Sequence, residues 1–155
     1  MRSVHARITD LLSRYARCLD DRRLDEWPEL FVDDGVYRIV SRDNYARGLP
    51  IPLMLCYGTG MLKDRAYAFQ HINIYPARVD RHIVANTRIE RRGNGVYGLE
   101  ADYVVLQTDA GGLTSIFSAG RYLDTVVELV DHVKFQEKVV VSDTCVVATA
   151  LGGPL

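Results

Sequence analysis

Apolar residues in the first twenty positions recur every three or four residues, which predicts an amphipathic helix. The residues on its apolar face are Val4, Ile8, Leu11, Leu12, Tyr15, Ala16 and Leu19. A second, short helix is predicted from Leu24 to Phe31. Pro28 fits its first turn, because the N–H that proline lacks would have no helical partner there. Gly35 ends this helical region, and the apolar run Val36–Val40 predicts a strand.

The middle of the chain predicts a loop, a strand and a third helix. Ser41–Pro50 is polar and rich in turn formers, and Ile51–Tyr57 is an extended apolar run. Thr59 is a residue type suited to cap a helix, and apolar positions continue at helical spacing to Ile72. Pro76 is expected to close this helix, because the residue before a proline is pushed out of helical geometry.

The rest of the chain predicts four long strands joined by short turns. The strands are expected at residues 80–91, 96–108, 113–128 and 133–148. Gly93–Gly95 is a strong signal for a tight turn. In the first of these strands, alternation places Ile83 and Ile89 on one face and His82 and Val84 on the other. Short turns between long strands make neighbouring strands antiparallel.

Together these elements predict an α+β fold in which three N-terminal helices pack on a long curved antiparallel sheet, because the helices are the cover available for the sheet's apolar face. The order matches the cone of the nuclear-transport-factor-2-like (NTF2-like) fold. A chain of 155 residues with 48% hydrophobic and 25% charged residues fits one domain, which we expect to span residues 1–155.

Charge and cysteine usage narrow the classes of function. The net charge is −1, from 19 basic and 20 acidic side chains. This balance gives no basic face for nucleic acid, so no nucleic-acid partner is expected. The three scattered cysteines favour free thiols in a reducing cytosol. Neither a signal peptide nor an apolar run long enough to span a membrane is present, so we expect a cytoplasmic protein without membrane contact.

A His–Asp pair is the strongest candidate for catalysis. His82 with Asp20 or Asp21 would act as a general base if both pointed into an apolar cavity, as in isomerases and dehydratases on this fold. The residues predicted to line such a pocket are Tyr15, Asp20, Trp27, His82 and Asn86. The alternative interpretation is that His82 is a structural histidine, hydrogen-bonded within the sheet or at a subunit contact.

Signals for metal and phosphate binding are weak. The four histidines, His5, His71, His82 and His132, include no pair four residues apart, and no cysteine pair has metal-ligand spacing. A Rieske cluster needs two short pairs of cysteine and histidine, which this chain lacks. The stretch Gly58–Gly60 lacks the remaining residues of a phosphate-binding loop, so we interpret it as the start of a helix.

Several stretches in a fixed order resemble one family. They are Asp25–Phe31 followed by Tyr37–Ile39, Ser41–Pro50, Met61–Arg65, Arg81–Asn86, Phe117–Asp124 and Phe135–Thr144. This set is similar to the β subunits of bacterial aromatic-ring-hydroxylating dioxygenases, which have the NTF2-like (SnoaL-like) fold. Among these subunits it most resembles those of terephthalate-type enzymes, followed by salicylate, anthranilate and benzoate relatives. The glycine-rich ending Leu151–Leu155 departs from the family pattern.

The resemblance implies an assembly subunit without catalytic residues or cofactors of its own. A larger α subunit would carry a Rieske 2Fe–2S cluster and a mononuclear iron, and would convert terephthalate or a related aromatic acid to a cis-dihydrodiol. The β subunit would form a trimer, giving an α3β3 hexamer. Arginine and aromatic side chains are favoured at interfaces, so the candidate contact residues are Arg42, Tyr45, Arg47, Arg81 and His82. A stand-alone isomerase or dehydratase, or a module that binds small ligands, remains the alternative.

Overall fold

The computed structural model describes residues 3–49, 51–72, 77–144 and 153–155. The helices are α1 (Val4–Asp20), α2 (Arg42–Ala46) and α3 (Gly58–Tyr67), with a 3-10 turn at Trp27–Leu30 and a π-helical turn at Ala68–Ile72. The strands are β1 (Phe31–Ser41), β2 (Met54–Tyr57), β3 (Arg78–Gly93), β4 (Val96–Asp109), β5 (Thr114–Glu128) and β6 (Val133–Ser142).

The six strands form one sheet in the order β2-β1-β6-β5-β4-β3. Neighbouring strands are antiparallel except β1 and β6, which run parallel. The prediction of four long late strands is confirmed for β3 to β6, and the turn at Asn94 and Gly95 has positive φ at both residues, as a tight hairpin requires. The predicted end of the last strand, at residues 145–148, lies outside the described residues.

The first helix forms where the sequence pattern places it. Ser3 caps α1 by accepting a hydrogen bond from the Ala6 N–H, with 3.2 Å between the two atoms. The apolar positions Ile8, Leu11 and Tyr15 are buried against the sheet. Because α1 packs over β3 and β6, its last residue, Asp20, lies beside the beginning of β3.

Three local predictions about β1 and α3 were wrong. Phe31 begins β1 rather than ending a helix, and Gly35 lies inside that strand at a bulge, where a Cβ would be 2.9 Å from the Val32 carbonyl oxygen. Thr59 lies within α3, because the cap is Tyr57, whose side chain makes no capping hydrogen bond. The expected helix end at Pro76 lies outside the described residues.

The stretch predicted as a loop contains a helix. Ser41 accepts a hydrogen bond from the Asn44 N–H and thereby caps the short helix α2. Arg47 is the C-cap of this helix. The helix is exposed and lies at one end of the sheet, where β1 and β6 are paired.

The alternation predicted for β3 is interrupted. His82 and Val84 face the core, as does Ile89 farther along, whereas Ile83 is half exposed. The register with β4 shifts between residues 85 and 88, and Asn86 has a φ of +53°. This bulge adds a residue to the strand and reverses its faces, so the prediction that Ile83 and Ile89 share one face was wrong.

Gly120 is required where three strands come closest. It pairs with Tyr103 of β4 and Ser142 of β6, and a Cβ would lie 2.0 Å from the Val141 carbonyl oxygen. We expect Gly120→Ala to lower the free energy of unfolding by about 2 kcal/mol, because the backbone must move apart. In the control Gly60→Ala, the new Cβ meets nothing within 4 Å, so stability should be unchanged or slightly higher. Equal urea midpoints for the two variants would contradict this prediction.

Candidate functional site

Aromatic side chains fill the interior of the cone. Those less than 2% exposed are Trp27, Tyr15, Tyr37, Tyr103, Tyr122, Phe31 and Phe135. Trp27 meets Tyr37 edge to face with ring centroids 5.0 Å apart, and Tyr103 stacks on Tyr122 at 4.6 Å. Tyr15 and Trp27, predicted as pocket residues, are therefore packed core residues. Among the described residues, these rings pack directly against one another in the interior of the cone.

A buried ion pair lies within this aromatic core. The Lys138 ammonium is 2.8 Å from Oδ2 of Asp124, and both side chains are fully buried. The ammonium also lies 3.6 Å from the ring centroid of Tyr122 and 4.2 Å from that of Tyr15. Favourable contacts with the faces of aromatic rings stabilise the charged form of lysine.

Burial shifts the pKa of these two groups more than the charge of the partner does. It raises the pKa of Asp124 to about 6, against the lowering effect of Lys138, and it lowers the pKa of Lys138. Sequence reasoning missed this pair. The register of β5 and β6 was the signal that could have revealed it. Asp124 and Lys138 face each other across these strands, on the same face of the sheet as the buried Tyr122 and Val140.

The predicted pair of Asp20 and His82 forms. Nδ1 of His82 lies 2.6 Å from Oδ1 of Asp20, and the backbone N–H of His82 donates to both carboxylate oxygens, at 3.0 and 3.1 Å. The side chains are 6% and 3% exposed. The Arg81 guanidinium is 4.0 Å from Oδ2 of the same carboxylate. One carboxylate at the end of α1 therefore holds both the main chain and the ring of His82 at the start of β3.

The cavity beside this pair is a groove rather than the interior of the cone. It has a volume of about 320 Å³ and runs between α1 and β3, where Thr9, Ser13 and Thr87 contribute to its walls. Nε2 of His82 is buried and has no hydrogen-bond partner among the described residues. The arrangement fixes the orientation of the ring, as in a general base, but it equally serves as a clamp between two elements.

The other two candidates, Asn86 and Asp21, are exposed and make polar contacts with other residues. The Asn86 side chain is exposed and donates a hydrogen bond to Oδ2 of Asp102 at 2.6 Å, because the β3 bulge turns it away from the core. The prediction that Asn86 lines an internal pocket was therefore wrong. Asp21 is exposed and forms a surface ion pair with Arg23 at 3.5 Å.

The candidate contact residues divide into exposed and buried ones. Arg42 is exposed and lies 3.7 Å from Asp143, and Tyr45 is 45% exposed. Arg47 is also exposed. The exposed apolar residues Leu49, Ile51 and Leu53 follow in the chain, and we call the six residues Arg42, Tyr45, Arg47, Leu49, Ile51 and Leu53 the α2 surface. Arg81 is 62% exposed, whereas the His82 side chain is buried.

The described part of the chain contains neither a cluster of metal ligands nor a membrane-spanning helix. Within residues 3–49, 51–72, 77–144 and 153–155, no three histidine, cysteine, aspartate or glutamate side chains are grouped so that they would hold a metal ion. No helix in those ranges is both long enough and apolar enough to cross a membrane.

Comparison with known proteins identifies the family. Residues 3–139 match the SnoaL-like domain. The small subunit of anthranilate 1,2-dioxygenase from Burkholderia cepacia is 38% identical over 94% of this chain and 90% of its own. A β subunit of the terminal oxygenase component of terephthalate 1,2-dioxygenase from Comamonas sp. is 30% identical over 91% and 92%.

A solved structure agrees with these relatives. The crystal structure of a β subunit assigned to an aromatic-ring-hydroxylating dioxygenase of Novosphingobium aromaticivorans superposes with a TM-score of 0.88 at 37% identity, covering 97% of this chain and 95% of that one. The predicted NTF2-like α+β fold is thereby confirmed. The chain belongs to the SnoaL-like family and, within it, to the small or β subunits of aromatic-ring-hydroxylating dioxygenases.

Proposed function

We propose that this chain is the non-catalytic assembly subunit of a ring-hydroxylating dioxygenase whose α subunit carries the Rieske cluster and the mononuclear iron. The observation that supports this proposal best is the filled cone. Among the described residues, aromatic side chains and the Asp124–Lys138 pair are packed against one another in the interior of the cone, where a general base in an apolar cavity would need open space. The role left for the chain is to fold stably and to present surfaces to its partners.

The substrate class follows from the relatives. The anthranilate and terephthalate enzymes are named for aromatic acids with a single ring. We therefore propose that the complex hydroxylates a monocyclic aromatic carboxylic acid at its α subunit. The sequence resemblance pointed to terephthalate, and the higher identity to the anthranilate subunit, 38% against 30%, makes anthranilate an equal candidate.

We further propose an α3β3 assembly in the cytoplasm. A reducing compartment suits the free buried thiols of Cys18 and Cys56. The α2 surface and Arg81 are the proposed contact regions, because exposed aliphatic and aromatic groups next to arginines supply both apolar area and hydrogen bonds at an interface. The buried His82 would support such a contact only indirectly, by holding the main chain next to Arg81.

Co-expression with a ring-hydroxylating dioxygenase α subunit tests the proposal. We expect the chain alone to contain no iron and to show no turnover of benzoate-type acids, and we expect it to co-purify with α as an active complex. Tight iron at one atom per chain, or turnover by the chain alone, would contradict the assembly role.

Variants of the α2 surface test the contact region. We expect Tyr45→Ala combined with Arg47→Glu to reduce co-purification with α or to dissociate the β trimer, at unchanged monomer stability. The matched control is Arg88→Glu, an equally exposed arginine on β3. Size-exclusion chromatography with light scattering measures both. An identical hexamer for the two variants would place the contacts elsewhere.

A stand-alone isomerase or dehydratase is the second candidate, favoured by the 2.6 Å contact between His82 and Asp20 and by the unpartnered Nε2. It predicts turnover by the purified chain alone that is lost in His82→Ala. The absence of any turnover without the α subunit would decide for the assembly role.

A further inference from the structure

The last three residues of the sequence lie inside the cone. Gly153 and Leu155 are buried, and Leu155 is only 4% exposed. Gly153 packs against the Phe69 ring so closely that a Cβ would lie 2.6 Å from it. Leu155 belongs to the main hydrophobic cluster together with residues of α1 and the sheet. A segment outside every helix and strand thus completes the core.

The main-chain N–H and the main-chain oxygen of Leu155 are both hydrogen-bonded. Its N–H donates to the Tyr37 hydroxyl oxygen at 2.8 Å, and its main-chain oxygen accepts a hydrogen bond from the Tyr15 hydroxyl. The Tyr37 hydroxyl is 3.4 Å from that same oxygen. Burial raises the pKa of both tyrosines, so both hydroxyls stay protonated and able to donate at neutral pH.

These contacts have the composition of a small-molecule site. Such sites combine an apolar wall with a few convergent polar groups that fix orientation. Here apolar residues surround the Leu155 side chain. The Tyr15 hydroxyl donates to the main-chain oxygen of Leu155, and the Tyr37 hydroxyl oxygen accepts a hydrogen bond from its N–H. Without Leu155, the Tyr15 and Tyr37 hydroxyls, 3.5 Å apart, would keep only each other among the partners that the structure shows.

We propose that this end of the cone is a binding site for a small apolar carboxamide, and that Leu155 occupies it as an internal ligand. The site is separate from the assembly role, because it lies in the interior and shares no residue with the α2 surface. The cone is therefore closed to small molecules while residues 153–155 are in place, and it opens when they are removed.

A chain lacking residues 153–155 tests the proposal, with benzamide as the probe and the ionised benzoate as its charged comparison. We expect the full chain to bind neither compound. The shortened chain should bind benzamide, seen as heat in isothermal titration and as a melting temperature that rises with benzamide concentration, and it should bind benzoate much more weakly. In the shortened chain, Tyr15→Phe should weaken binding about tenfold, since one hydrogen bond is lost. Tyr122→Phe is the control, since the hydroxyl of Tyr122 has no partner among the described residues.

A second variant keeps the outcome decisive if the shortened chain folds poorly. In the full chain, Leu155→Asp should exclude residues 153–155 from the core, because an unpaired carboxylate is costly to bury, and it should allow benzamide to bind. A folded shortened chain that does not bind benzamide, or a full chain that binds it as strongly as the shortened one, would overturn the proposal. Failure of both variants to fold, without rescue by benzamide, would also overturn it, since Leu155 would then be an ordinary core residue.

Discussion

Lys138→Met is expected to lower the free energy of unfolding by about 3–5 kcal/mol, which is the usual result of removing one partner from a buried ion pair. The substitution keeps a long apolar chain against the rings of Tyr15 and Tyr122, so packing changes little. It removes the cation that faces Asp124 at 2.8 Å and leaves that carboxyl unpaired in the core. Urea denaturation followed by far-UV circular dichroism measures the effect.

The double variant Asp124→Leu with Lys138→Met separates the charge from the packing. Because burial already outweighs the attraction of Lys138 and keeps the pKa of Asp124 raised to about 6, the pair contributes little net stability. Replacing both members by apolar residues is therefore expected to recover most or all of the wild-type value. A double variant as unstable as Lys138→Met alone would show that the loss arises from packing.

The loss in Lys138→Met should also depend on pH. A carboxyl whose folded-state pKa is raised contributes stability below its unfolded pKa and loses it as pH rises through the folded pKa. In the wild type this window runs from the ordinary value of 3.8 to about 6. Without Lys138 the folded pKa rises further, so the window extends upward. The difference between variant and wild type should therefore be larger at pH 8 than at pH 5, and a constant difference would contradict this explanation.

Local periodicity was sufficient to predict α1 and the late strands β3 to β6, whereas the short helix α2 was missed. The spacing of Ile8, Leu11 and Tyr15 in α1 depends only on neighbouring turns, and the hairpin at Asn94 and Gly95 depends only on two residues. The faces of β3 were mispredicted beyond Val84 because a bulge is fixed by pairing with β4, which is distant in sequence. Phe31 was assigned to a helix because its strand begins only where it pairs with Phe135.

At the candidate site, too, some features were predicted from the sequence and others were not. The pairing of His82 with Asp20 was predicted as one of two aspartate choices, and the structure selects Asp20, because the last turn of α1 faces β3. The filling of the cone was not predicted, because it depends on which tyrosines converge from α1, β1, β4 and β5. The position of Leu155 carried no sequence signal, since a glycine-rich ending gives no period from which to infer a docking site.

The clamp at Asp20 connects the fold with the proposed contacts. One carboxylate fixes the main chain and the ring of His82, and its neighbour Arg81 is an exposed candidate contact. If the clamp opens, the first residues of β3 lose their attachment to α1, and Arg81 loses its fixed position. His82 and Asp20, which have the geometry of a general base and its partner, would then influence subunit assembly through the position of Arg81.

Asp20→Asn is expected to lower the free energy of unfolding by about 3 kcal/mol, because hydrogen bonds to a charged group are each worth about 1.5–3 kcal/mol. The amide loses the charge and retains one acceptor oxygen for the backbone N–H of His82, and it can hold the ring only by donating its NH2 to Nδ1 in the other tautomer, whereas the carboxylate accepts from both groups. Asp21→Asn is the matched control. Its carboxylate is exposed and forms a surface ion pair with Arg23 at 3.5 Å, so a change below about 1 kcal/mol is expected. Urea midpoints of the two variants measure the difference, and amide hydrogen exchange at the start of β3 locates it. Equal stability of the two variants, with unchanged exchange at His82, would show that the carboxylate does not act as a clamp.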